Sequence, residues 1–155
     1  MFKKMRRPKQ ELDPQVATQL LDTAEYGILA TCGENGYPYA VPLNYAVHDG
    51  AIYFHCATDG HKLDNIAHDN RVSFCLVPQA KILPDKFATR FKSIVVFGRA
   101  IPVDGEEKKM GLRALIQKFS ADFMEEGEKY IENSAHRTTV VKIQIESMTA
   151  KAGDD

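Results

Sequence analysis

The chain has 155 residues, with 20 Lys and Arg against 21 Asp and Glu and a formal net charge of -1. That length suits one domain whose core needs no staples, and 44% hydrophobic with 26% charged residues excludes a disordered chain. No basic excess marks a nucleic-acid binder, and no apolar run is long enough to span a bilayer.

Residues 1–12 read as a basic arm carrying Lys3, Lys4, Arg6, Arg7 and Lys9. It is either a frayed, solubilising segment or a clamp on an anion or a partner subunit. No apolar stretch follows it, so no signal peptide and a cytoplasmic location are expected. The domain is expected over 13–150, with 151–155 as a polar tail. Asp13 and Pro14 suit the cap and first position of a helix whose apolar face is Val16, Leu20, Leu21 and Ala24. Gly27 ends it and "YGILATC" opens a strand.

Asn35-Gly36 favours a tight hairpin into "YAVPLNYAV". Pro42 lies inside that second strand, which marks an edge, a bulge, or backbone that meets something other than a strand. Asp49-Gly50 turns into a third strand, "AIYFHCA", and "GHKLDNIAHD" is a short helix with Leu63, Ile66 and Ala67 inward. "RVSFCLV" is apolar on both faces, as a central strand is. "PQAKILPDKFATRF" reads as a connection and "KSIVVFGRAIPV" as a long strand, with Gly98 at a bulge or close backbone approach. Two helices follow, the first with Leu112, Leu115, Ile116 and Phe119 as its stripe. The last strand turns Val141, Ile143 and Ile145 one way and Lys142, Gln144 and Glu146 the other. Six strands joined by hairpin turns, with few helices, predict a closed or nearly closed antiparallel barrel.

Cys32, Cys56 and Cys75 form no CxxC element and sit among apolar neighbours. Buried free thiols in a reducing compartment are expected.

The stretch "YFHCATDGHKLDNI" carries most of the chemistry. A strand that gives way through Thr58-Asp59-Gly60 to a helix at His61 leaves main-chain N–H groups without intrahelical partners. Phosphate fits such a helix start. Lys62 adds a charge, Thr58 a hydroxyl, and Gly60 room; Asp59 is a candidate cap. A generic loop-to-helix junction has much the same look. His61 is polar and lies beside this junction. His55, Cys56 and His61 lack a recognised zinc spacing, and no metal is expected.

"EYGILATCGENGYPYAVPLNYAV", "IYFHCATDGHKLDNI", "RVSFCLV" and "KFATRFKSIVVFGRA", in that order, resemble the pyridoxamine phosphate oxidase-like FMN-binding split-barrel proteins, nearest the nitroimidazole-resistance (Nim) branch. The resemblance covers nearly the whole chain. It implies a mainly β fold: a six-stranded antiparallel split barrel with Greek-key elements and flanking helices. It also implies a homodimer with FMN in grooves between subunits. Val41, Pro42, Leu43 and Asn44 would then lie along the isoalloxazine ring, and Thr58 and Lys62 would hold the phosphate. His55, Ala57 and Asn65 are near-site candidates, and His61 is the candidate catalytic residue. Arg90, Phe97 and Arg99 would reach the groove from the other subunit, and Arg6 and Arg7 match a recurrent "MRR" start.

The arginine and tryptophan pattern of true pyridoxamine phosphate oxidases is missing, and the chain has no tryptophan. Vitamin B6 oxidation is therefore not expected. The implied activity is an FMN-dependent reduction of a small organic acceptor, a nitroaromatic such as 5-nitroimidazole among them, with NADH or NADPH as donor. The rival is a non-catalytic flavin- or haem-binding carrier or sensor. A barrel binding single-stranded nucleic acid through Tyr37, Tyr39, Tyr45, Tyr53 and Phe54 is disfavoured by the near-neutral charge. Neither nucleic acid nor membrane is an expected partner.

Overall fold

A computed structural model describes residues 1–153. Its elements are α1 (Pro14–Thr23), β1 (Tyr26–Cys32), β2 (Pro38–Asn44), β3 (Ala46–His48), β4 (Ala51–Cys56), α2 (His61–His68), β5 (Arg71–Leu83), β6 (Ala88–Val103), α3 (Gly105–Phe119), α4 (Met124–Ser134) and β7 (Thr139–Gly153). All strands belong to one antiparallel sheet in the order β2-β1-β5-β6-β7-β4-β3.

That order makes the sheet curl. Its two edge strands, β2 and β3, are consecutive in the chain and separated only by Tyr45. One residue spans less than about 7 Å, so the two edges must meet at this corner. The sheet therefore closes there into a half-barrel and stays open along the rest of β2. Tyr45 itself fills the corner: it is 0% exposed, its hydroxyl donates to the Leu21 carbonyl, and its ring meets Phe74 edge-on at 5.0 Å. The Lys118 ammonium of α3 lies 4.0 Å from the ring centroid and donates to the Tyr45 carbonyl at 3.0 Å. Because the chain turns at Tyr45, the expected second strand becomes two and the sheet has seven strands, not six.

Local chemistry sets the other element ends. Asp13 accepts from the Gln15 N–H at 2.8 Å and caps α1. Gly36 turns the first hairpin at φ +79°, and Asp49 and Gly50 turn the next at +46° and +73°. β5 lies between β1 and β6, as its two-sided apolar pattern predicts. Gly98 meets both of its expected reasons. The β6–β7 register shifts there, and an added Cβ would sit 2.3 Å from the Gln144 carbonyl oxygen.

The barrel core gathers Leu29, Ile52, Phe54, Phe74, Ile94, Val96, Val141 and Ile143, with α1 closing one end through Ala17 and Leu21. A second cluster, Tyr53, Leu112, Ile131 and Val140, seats α3 and α4 on the outer side of β4 and β7. Val141, Ile143 and Ile145 face the barrel as alternation predicts.

Three expectations need correction. The stretch 78–91 is not a connection: β5 runs to Leu83, turns through Pro84–Lys86, and β6 starts at Ala88. Lys151 to Gly153 are not a tail, because they pair with Ser93 to Phe91; residues 154–155 of the expected tail lie outside the described residues. The cysteines are free but not buried: Cys32 is exposed, and Cys56 and Cys75 are half-buried. Strand alternation places Cys32 and Cys75 on the side of the sheet away from the core.

Candidate functional site: the β4–α2 junction and the open edge of β2

β4 ends at Cys56, and Ala57, Thr58 and Asp59 lead to α2 with all three side chains exposed. Gly60 takes φ +145°, a conformation L side chains rarely adopt, and the space where its Cβ would stand is open to 4 Å. It is also the N-cap of α2, and no side chain caps the helix. The expected cap, Asp59, therefore does not act as one: the extended Gly60 intervenes between it and the helix. The Leu63 and Asp64 N–H groups bond to the Gly60 carbonyl at 3.0 and 3.1 Å. The first N–H groups of α2 remain as donors.

Lys62 is half-buried, and its charge opposes the effect of burial, which raises the Cys56 thiol's pKa. The Lys62 charge is thus near enough to the end of β4 to act on Cys56. His61 is exposed, and its ring stacks on Tyr39 of β2 at 4.0 Å between centroids and 29° between planes. Glu34, Asn35, Asp64, Asn65 and His68 line a cleft of about 260 Å³ around the same imidazole. A larger groove, about 670 Å³, runs from Thr58 along Leu63 and Ala67 to Ile101 and Pro102 of β6. Among the described residues no group of three His, Cys, Asp or Glu is arranged to hold a metal ion.

β2 divides its four expected residues between two faces. Val41 and Leu43 are half-buried and pack on the barrel core, whereas Pro42 and Asn44 point outward and are exposed. Pro42 stands opposite Ile28 of β1, and the other side of β2 is the open sheet edge, where a missing N–H leaves no ladder position empty. Asn44 donates to the Glu25 carbonyl at 2.9 Å. With His55 of β4 it lines a groove of about 380 Å³ against Leu115, Ile116 and Phe119 of α3. His55 is exposed, yet partial desolvation lowers its pKa below 6.5.

The other expected residues have their own partners. Asn65 is 4% exposed, and its amide donates to the Thr31 hydroxyl at 3.0 Å. Its Oδ1 fills the space beside Gly33, where a Cβ would come within 2.3 Å. Its side chain welds α2 to β1. Phe97 and Arg99 face outward from β6: Phe97 stacks on Phe2 of the arm at 5.1 Å, and Arg99 pairs with Glu146 at 3.3 Å and Asn70 at 3.1 Å. Arg90 stands on the β5–β6 hairpin beside Lys81 and Lys92. It is ten residues from Ala100, the β6 residue beside α2, which is roughly 30 Å of strand. Its own α2 is out of its reach.

Tyr39, Asp64, His68 and the α3 residues facing His55 were missed by sequence reasoning. Only Tyr39 left a signal, since it lies two residues before Val41 and so shares its face.

The family described as pyridoxamine 5'-phosphate oxidase matches residues 13–152. No protein of curated function matches the chain. Several solved structures share the fold. A candidate 5-nitroimidazole antibiotic resistance protein from Bacteroides thetaiotaomicron VPI-5482 superposes with a TM-score of 0.80 at 20% identity, over 92% of this chain and 86% of that one. A FAD-binding protein from Mesorhizobium loti gives 0.68 at 22% identity, over 94% and 98%. A FAD and heme binding protein from Mycobacterium smegmatis gives 0.82 at 18% identity, over 95% and 74%.

Proposed function

The chain belongs to the pyridoxamine 5'-phosphate oxidase family, and from that premise we propose that it is a flavin-dependent oxidoreductase. In this reading it carries electrons from NADH or NADPH to a small organic acceptor, such as a nitroaromatic of the 5-nitroimidazole kind. The observation that carries the reading is the uncapped start of α2, flanked by Lys62 and Thr58 and set beside the open edge of β2. Its donor set fits a phosphate monoester: free main-chain N–H groups, one hydroxyl, one ammonium, and a glycine whose open side admits close approach. FMN ends in such a group. The FAD-binding neighbours support a flavin, and the nitroimidazole-resistance neighbour supports the acceptor class.

A bound flavin supplies two-electron transfer between donor and acceptor. This chain's residues do the rest. Lys62 and Thr58 hold the phosphate, with Ala57 leaving room beside it. Pro42 and Asn44 offer the ring an outward surface on β2, while Val41 and Leu43 hold that strand to the core. His61, fixed by Tyr39, presents a ring nitrogen as proton donor to the acceptor. Asn65 acts by holding α2 in place.

The reading includes a homodimer. Two rows of uncharged side chains cross the outward sheet face, Pro42-Ile28-Cys75-Val95 and Ala40-Ala30-Ser73-Phe97. Such a face suits a second copy. Since Arg90 cannot reach its own junction, it serves the phosphate of the partner's site, with Phe97 and Arg99 on the surface between copies.

A second reading, a haem-binding carrier, rests on His55. In that reading the His55 imidazole, beside Leu115, Ile116 and Phe119, would hold the haem iron.

An absorbance spectrum of the purified protein separates the two. Flavin absorption that NADH or NADPH bleaches without oxygen, and a nitroaromatic restores, is the expected result. A Soret band, or failure to retain added FMN, would overturn it.

A further inference from the structure

The far end of the β5–β6 hairpin runs past its neighbours in the sheet. Among the described residues β1 pairs with β5 at Ser73 to Cys75, and β7 follows β6 as far as Phe91. Residues 79–83 and 88–90 form, among the described residues, a two-stranded ribbon closed by Pro84–Lys86. Such a ribbon is marginal in water on its own. Its tip also exposes Ile82 at 69% and Phe87 at 97%, and Phe87 is held at φ +49°. A bulky residue in the left-handed region is strained. Strain and a bare aromatic ring at one residue call for a covering surface. Lys81 and Lys86 stand there too, without an ion pair among the described residues.

The same chain carries a surface of matching character. Phe123, at the corner between α3 and α4, and Tyr130, two turns further along α4, are 62% and 60% exposed. Asp122 and Glu126 lie beside them and also make no ion pair among the described residues. α3 packs over β3, β4 and β7, away from the ribbon.

We propose that the ribbon of one copy clasps the α3–α4 corner of a second copy. Phe87 packs against Phe123 and Tyr130, and Lys81 and Lys86 face Asp122 and Glu126. Made reciprocally about a two-fold axis, ribbon to corner in both directions, the contact closes the pair. The clasp rests on the two-copy reading above and names the surfaces that secure it.

Sedimentation of the full-length chain tests it. Phe87→Ser, the pair Lys81→Glu with Lys86→Glu, and the pair Asp122→Lys with Glu126→Lys are each expected to weaken self-association by about tenfold or more. Combining the two charge-reversed pairs restores most of it. A photo-reactive benzoylphenylalanine in place of Phe87 is expected to cross-link residues 119–130 of a second copy. A dimer indifferent to all these changes, or cross-links that fall elsewhere, overturns the clasp alone. A wild-type chain that stays monomeric overturns the two-copy reading and the clasp together.

Discussion

Tyr39 of β2 and His61 of α2 stack with their ring centroids 4.0 Å apart. The contact joins the open edge of the sheet to the first residue of the helix. It occupies one face of the imidazole and sets its plane, while His61 as a residue stays exposed. A general acid must hold its proton at a fixed place, so this stack decides whether His61 can serve as one.

His61→Ala is expected to lower turnover by about 10²-fold or more while flavin stays bound. Tyr39→Leu is expected to lower kcat with little change in KM and to shift the pH profile, and Tyr39→Phe to behave as wild type. Steady-state kinetics across pH checks all three. Normal rates in His61→Ala would reduce His61 to a packing residue.

On the proposed reading, Lys62→Ala removes the charged partner of the phosphate. A charge-assisted hydrogen bond is worth about 1.5–3 kcal/mol, so FMN should bind roughly ten- to a hundredfold more weakly. Fluorescence titration of apoprotein measures this, and unchanged affinity rejects the role.

Asn65→Ala leaves the Thr31 hydroxyl, itself buried, without its partner at 3.0 Å. The expected loss is about 1–3 kcal/mol of folding stability. Urea unfolding of the apoprotein should show it. A stable apoprotein that has lost only FMN affinity would make Asn65 a cofactor ligand instead.

His55 gives a pH signature. Burial holds its pKa in the folded chain below the ordinary 6.5. The unfolded chain therefore takes up a proton first as pH falls. Stability is full above 6.5 and declines as pH drops from there toward the lowered folded value. Unfolding midpoints at about pH 7.5 and about pH 5.5 should differ in this direction, and His55→Gln should reduce the difference.

Much of the fold was legible because it rests on neighbours in the chain. The Asp13 cap, the turns at Gly36 and Gly50, and the alternation of Val141, Ile143 and Ile145 each depend on residues a few positions apart. Gly98 was legible as a bulge, although its close neighbour, the Gln144 carbonyl, was not. The cysteines misled because apolar neighbours along the chain do not say which side of a strand is covered.

The junction itself was also local: a strand end, a glycine and a helix start are written in consecutive residues, although Asp59, which the sequence offered as a cap, leaves that start uncapped. The partners of its side chains were not. Tyr39 meets His61 and Asn65 meets Thr31 only because the sheet curls until β1, β2 and α2 touch. The curl follows from the turn at Tyr45, whose ring is fixed by Leu21, Phe74 and Lys118 from three separate elements. By itself, then, the sequence determined most of the elements, the Asp13 cap, the hairpin turns and the glycine-led start of α2, because hydrogen bonding and side-chain alternation act over a few residues. Only the tertiary structure decided which side chains meet at that start, which are used up in packing, and which edge stays open, because those outcomes depend on contacts between residues far apart in the chain.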